Sequence, residues 1–264
     1  MTNSDDEIDG IRRFVELART IGAEVARTVT TFQPQTEAFF TSLGEAIRSF
    51  EAGHQQRLTL YPQLFAQVAP LAQRGWFISG YFGLSEIMEL ADICSTVTPD
   101  ALDQRVADMY RASLAEHAAS LSSDYPTRTF AIQPAVDAHS RHEYALSVPI
   151  FFAQAEGIFY DRTREYIFRK ENGRNIRDEA QKQLAALAQA IEPYGSLSRF
   201  MEIMWRPFAY ALPIAYSEND RTKHGYAGLN RHTVLHGIAL GEYATGENSL
   251  KAFSLLSHVG ALVS

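Results

Sequence analysis

The sequence predicts an all-α fold, a multi-helix bundle, on three observations. Apolar residues recur at three- and four-residue spacing along almost the whole chain, the period of a helix that buries one face. Alternating β-branched runs bounded by Asn-Gly or Asp-Gly, the mark of hairpins, are absent. The 264 residues are 46% hydrophobic and 21% charged, enough apolar mass for a well-buried core and an ordinary charge for a soluble globular protein.

Each element follows from local signals. Ile8, Ile11, Val15, Ala18, Ile21, Val25 and Val29 trace one helical stripe, and Phe39, Leu43, Ile47 and Phe50 trace a second. Thr98, Pro99 and Asp100 form a strong helix start, followed by an apolar face of Leu102, Val106, Met109, Leu114 and Leu121. Further helices are expected near 128–140, 143–168, 176–192 and 196–209. A last one is expected from a cap at Asn248 to Val263, with Leu250, Phe253, Leu256 and Val259 facing inward. This last helix has more apolar surface than one face needs, which suggests a dimer interface. The polar, proline-containing segment Ser122–Thr129 divides the chain. It is either a boundary between a helical region 1–125 without an assigned role and a domain 126–264, or a loop between helices. Ser217–Asn230 is polar and bears glycines, so a loop is expected there.

Composition narrows the functional classes. The start, MTNSDDEIDG, lacks the basic-then-apolar layout of a secretory signal, so a cytoplasmic location is expected. The longest apolar stretch, Tyr144–Tyr160, is too short for a comfortable membrane span and is interrupted by Pro149 and Glu156. No membrane partner is expected. The single cysteine, Cys94, excludes an intrachain disulfide and a Cys-rich zinc site, and reads as a small buried hydrophobe. A formal charge of −7 argues against coating nucleic acid by charge alone. Between Asp220 and Gly237, however, Arg221, Lys223 and Arg231 outweigh the one anion, Asp220. Trp76 and Trp205 sit among aromatic and aliphatic neighbours and fit core packing better than base stacking.

The stretch LNRHTVLHG, residues 229–237, concentrates the chemistry. On a helix, His232 and His236 are four apart and share a face, the spacing of a metal-binding pair. A metal site of that kind needs a third ligand and usually a carboxylate after the first histidine. Thr233 stands there instead, and His139, His142 and His224 follow no ligand spacing. The other chemistry is metal-free RNA cleavage. A base removes the proton of a 2′-hydroxyl, which attacks the neighbouring phosphate while a cation stabilises charge on the phosphoryl oxygens. Histidine, with a reference pKa of about 6.5, suits the proton transfer, and arginine forks onto phosphate oxygens.

Arg231, His232, Thr233, Val234, Leu235 and His236 resemble the ribonuclease signature of the HEPN superfamily of helical domains: Arg, a polar residue, any three, then His. No position departs from it. Two looser pairs, Arg48 with His54 and Arg111 with His117, fail the stricter form, because Ser49 and Ala112 follow their arginines. The second half, from about Ala138 to Leu262, is also similar to a bacterial group of HEPN-like proteins of unassigned activity, through SVPIFFAQAEGI, LNRHTVLHG and GENSLKAFSLL. The resemblance implies a HEPN-like C-terminal region and a metal-independent endoribonuclease without cofactor, working as a homodimer with a composite cleft. It implies a 2′,3′-cyclic phosphate product and a role as a toxin or in antiphage defence, with an antitoxin as a possible partner. By carry-over, His236 is the general base or acid, Arg231 the phosphate clamp, and His232 the residue that orients the pair or touches substrate. Asn230 caps the helix or binds RNA.

Neighbouring residues complete the expectation. Arg221, Lys223 and His224 would steer RNA by charge, or form a solvated loop. Glu156 lies in line with Ala145, Phe152 and Phe159, so its carboxylate sits on an apolar face and needs a cation. Arg231 is the candidate, although any nearby arginine would serve. For His236 the structural alternative is a histidine at a helix C-terminus with Gly237 as the cap. A second functional class therefore stands beside the nuclease: a non-catalytic HEPN-like module that binds nucleotide, RNA or a protein partner.

Overall fold

The computed structural model describes residues 63–163, 166–167, 204–210 and 212–263, and every structural statement concerns these. They are all-α, with no strand among them. Seven helices carry the architecture: α1 (Leu84–Ile93), α2 (Pro99–Asp124), α3 (Thr129–Ser140), α4 (Tyr144–Thr163), α5 (Glu218–His224), α6 (Arg231–Leu235) and α7 (Gly246–Val263). Short 3-10 turns at Ala69–Arg74, Pro126–Arg128, Arg206–Ala209 and Pro213–Ala215 join or flank them. The stripes expected before residue 62 and the helix expected over 176–192 lie outside the described residues. So does Arg48 with His54.

Local chemistry sets the helix ends. The Thr98 hydroxyl accepts from the Ala101 amide at 3.4 Å, and Pro99 occupies the first turn, where its missing N–H costs nothing. Leu102, Val106, Met109, Leu114 and Leu121 are buried as their spacing predicts. The polar break after α2 is the 3-10 turn Pro126–Arg128 between α2 and α3, which pack against each other. Residues on both sides of it contribute to one continuous apolar core. The α3–α4 hairpin closes at His142, whose left-handed φ of 62° takes the role glycine usually has after a helix.

The centre is α7. From Ser249 to Val263 every residue except Lys251 is buried, and α4 and α2 cover most of that surface. A helix apolar all round belongs inside a protein. The apolar surplus that suggested a dimer interface is therefore consumed within the chain. The helix also begins earlier than expected: Thr245, not Asn248, supplies the cap, its hydroxyl accepting from the Asn248 amide at 3.1 Å.

Burying this helix obliges its polar groups to find partners. Ser249 Oγ lies 2.8 Å from His139 Nδ1 and 2.7 Å from Ser147 Oγ. Ser254 Oγ accepts from the Phe77 amide at 3.1 Å, and Ser79 Oγ donates to the Ser257 carbonyl at 3.0 Å. Ser257 Oγ is 3.0 Å from His117 Nδ1, and the Tyr125 hydroxyl donates to the Gly260 carbonyl at 2.8 Å. His258 places Nδ1 2.7 Å from the Ile78 carbonyl and Nε2 3.0 Å from that of Met204, tying two distant segments to the core. Trp76 and Trp205 are buried, as expected, and Cys94 is half-buried at the end of α1.

Two predictions follow from this packing. A Cβ on Gly260 would come within 2.3 Å of Leu121 Cδ2, and Leu121 is itself fully buried and has little room to yield. Gly260→Val is expected to destabilise the protein by about 1–3 kcal/mol through overpacking, measured by urea unfolding; unchanged stability would show that α2 and α7 are not in this contact. Burial lowers His117 and His258 from 6.5 to about 4, the two carbonyls offsetting part of the effect at His258. As pH falls, the unfolded histidines take protons before the folded ones do. Stability is therefore full above about 6.5 and lost between there and 4, on the order of 3 kcal/mol for each histidine. Urea unfolding at stepwise pH should show this decline, and His117→Gln should flatten it.

Candidate functional site

The segment 229–237 folds as the short helix α6, and its two ends explain why. Asn230 is extended (φ −137°, ψ 124°), and its Oδ1 accepts from the Thr233 amide at 3.1 Å. Its Nδ2 donates to the Pro213 and Tyr216 carbonyls, each at 3.0 Å, which pins α6 to the turn Pro213–Ala215 and the residue after it. At the other end His236 is the C-cap, and Gly237 takes φ 67°, the left-handed conformation glycine adopts most readily. The Gly237 amide donates to Val234 O at 3.2 Å and the Ile238 amide to Thr233 O at 2.9 Å.

This capping sorts the motif into faces. Thr233 and Val234 are buried and α6 packs against α4, while His236 is exposed and Arg231 and His232 are half-buried. The His232 and His236 rings stand with centroids 4.5 Å apart. Among the described residues no group of three His, Cys, Asp or Glu side chains is arranged to hold a metal ion. Beyond Gly237 the chain presents Ile238, and then Leu240, which is 92% exposed, next to the motif.

Arg231 is anchored from α4. Its Nη2 donates to Glu156 Oε2, and the two side chains are only 21% and 11% exposed. Glu156 occupies the apolar face between the buried Phe152 and Phe159, so the carboxylate needs this cation. The pair fixes one edge of the guanidinium against α4. The comparison pair elsewhere behaves differently: Arg111 is an exposed residue joined to Asp108, while His117 is buried against Ser257.

The other expected contacts divide. Asn230 is 1% exposed and spends its side chain on the cap and the two carbonyls. Of its two expected roles, capping the helix is the one its side chain fills. The expected loop before it contains the helix α5, capped by Ser217 Oγ accepting from Asp220 N at 3.2 Å and ended by Gly225 at φ 60°. Lys223 and His224 are exposed on α5, with the His224 ring 5.3 Å from that of Tyr216. Arg221 donates from Nη1 to Glu218 at 3.2 Å and borders a cavity of about 400 Å³ that also borders Asn230 and Thr233 and does not include Arg231, His232 or His236.

That cavity is the feature the sequence did not reveal. Arg74 grips Asp103 with two bonds, 2.8 and 2.7 Å, and Trp76 Nε1 donates to the same carboxylate at 3.1 Å. Lys251 lies 2.6 Å from Glu247 and 5.3 Å from the Trp76 ring centroid. Tyr226 also lines it, donating to the Leu229 carbonyl at 3.1 Å, and burial pushes its phenol up to about 12. Arg74, Asp103, Tyr226 and Lys251 come from elements far apart in sequence, so no local spacing announces the cavity.

Comparison of the chain with family models, with curated proteins and with solved structures finds no match. The capping geometry is directly testable. Asn230→Asp keeps an acceptor for the Thr233 amide but loses both donors and brings a carboxylate against two carbonyls. It is expected to cost about 1–3 kcal/mol in urea unfolding, as much as Asn230→Ala; stability equal to the parent protein would contradict the double anchoring of α6.

Proposed function

We propose that the chain is an endoribonuclease of HEPN type, cleaving RNA without a metal by attack of the 2′-hydroxyl. The observation that carries this is the motif Arg231-His232-Thr233-Val234-Leu235-His236 on one capped helix, with His236 at the surface and Arg231 fixed by Glu156. His236 takes the 2′-hydroxyl proton, the O2′–P bond forms and the P–O5′ bond breaks. The leaving oxygen is protonated, so the products are a 2′,3′-cyclic phosphate and a 5′-hydroxyl. Arg231 meets the charge on the phosphoryl oxygens, while His232, its ring against that of His236, orients the base. Lys223 and His224 lie exposed on α5 and add positive charge along the approach. A second copy of the chain completes the cleft, its contact beginning at the exposed Ile238 and Leu240. Toxin or antiphage action, restrained by an antitoxin, is the biological role that goes with this chemistry.

One observation favours a second reading, a non-catalytic module that binds RNA or a partner: Arg231 is already satisfied in part by a buried carboxylate. The experiment that separates the two is incubation of the purified chain with RNA in EDTA. The nuclease predicts cleavage that His236→Ala reduces by about 100-fold or more and that stops on DNA, which lacks the 2′-hydroxyl. Cleavage untouched by His236→Ala, or equal cleavage of DNA, contradicts the mechanism. RNA binding with no cleavage establishes the module.

A further inference from the structure

α6 carries two imidazoles, His232 and His236, that make no hydrogen bond or ion pair among the described residues. Asn230 fixes the start of the helix and Gly237 turns the chain away at its end, so both side chains hang from a backbone held on either side. The His236 amide donates to the His232 carbonyl at 3.1 Å, which keeps the one-turn register that sets side chains four apart over the same face. The ring centroids lie 4.5 Å apart, and the ring planes are inclined at 55°. An ion about 2.1 Å from one nitrogen of each ring would place the ring centres roughly 4.5–5 Å apart. The tilt agrees with that distance: stacked rings lie parallel, whereas two ligands of one ion converge on it.

The donor set selects the class of ion. Imidazole nitrogen suits zinc, nickel and copper, whereas magnesium and calcium take oxygen ligands. Among the described residues no carboxylate is grouped with the two rings, and Glu156 on α4 is spent on Arg231. Structural zinc sites close with four protein ligands and catalytic ones with three. Two histidines hold an ion more weakly, with water completing its shell, so the site fills and empties with the supply of metal. We infer that His232 and His236 form a two-ligand site for a divalent transition-metal ion such as zinc, and that its occupancy switches off the proposed nuclease. The second step rests on the nuclease reading. A metal-bound imidazole has given one ring nitrogen's lone pair to the ion and carries a proton on the other. No lone pair is left on His236 to take the 2′-hydroxyl proton, so a reaction that needs no metal is inhibited by one.

The test is isothermal titration of the full chain with zinc chloride in a buffer that does not bind metal, beside RNA cleavage at the same zinc concentrations. Zinc is expected to bind in the micromolar range, and magnesium at least about tenfold more weakly. His232→Ala and His236→Ala should each weaken zinc binding at least about tenfold, because one imidazole is not a chelate. His236→Gln, at an exposed position, serves if either alanine variant does not fold. Cleavage seen in EDTA should fall at least about tenfold once zinc fills the site, and excess EDTA should restore it. The metal site is contradicted if zinc does not bind at sub-millimolar concentration, if magnesium binds as well as zinc, or if the histidine substitutions leave zinc binding intact. Its inhibitory role is contradicted if cleavage continues unchanged with the site filled. A chain that binds zinc through both histidines yet cleaves no RNA in EDTA upholds the metal site and contradicts the nuclease reading alone.

Discussion

The fold depends first on the burial of α7. A helix with apolar residues on all sides has no surface to give to water, so other elements must enclose it, and α4 and α2 do most of the enclosing. The serines of α7 and its histidine, His258, then act as fasteners to several segments: His139 and Ser147 near the α3–α4 hairpin, Phe77, Ile78 and Ser79 before α1, His117 on α2, and Met204. Burying polar groups this deeply is tolerable only when they are satisfied, which makes the arrangement specific as well as stable. Gly260 marks where the approach is closest, since Leu121 fills the place a side chain would take.

The candidate site inherits its geometry from this frame. α4 lies against α7 on one face and presents Glu156 toward α6. Arg231 follows Glu156, Asn230 follows two fixed carbonyls, and Gly237 turns the chain away, leaving His236 at the surface. Rigid anchoring of a motif on a five-residue helix is notable energetically, because so short a helix has little stability of its own. Caps and tertiary contacts supply it. The same anchoring separates two faces of α6, the histidines on one and the cavity with Arg221 on the other.

What the sequence made legible was local. Helical periodicity and the Thr98–Pro99 start gave α2, the Asn230 and Gly237 caps bracket α6, and the position of Glu156 among phenylalanines implied a buried carboxylate in need of a cation. Three features were not legible. Ser217, Glu218, Asp220 and Gly225 are ordinary helix start and stop signals, but α5 buries no residue, so its polar composition looked like a loop. The apolar excess of α7 announced burial without saying by which surface, and the chain itself supplies the cover. The cavity depends on Arg74, Asp103 and Lys251 meeting from separate elements, and contacts of that range leave no spacing in the sequence.

The central claim is that Glu156 on the α7-supported frame fixes Arg231 in the motif. A double-mutant cycle in urea unfolding, with Glu156→Gln, Arg231→Met and the two combined, measures it most directly. The structure predicts a favourable coupling of about 1 kcal/mol or more, because the pair is largely shielded from solvent. Free energies that add to within a few tenths of a kcal/mol would contradict it, and the motif would then have no fixed cation.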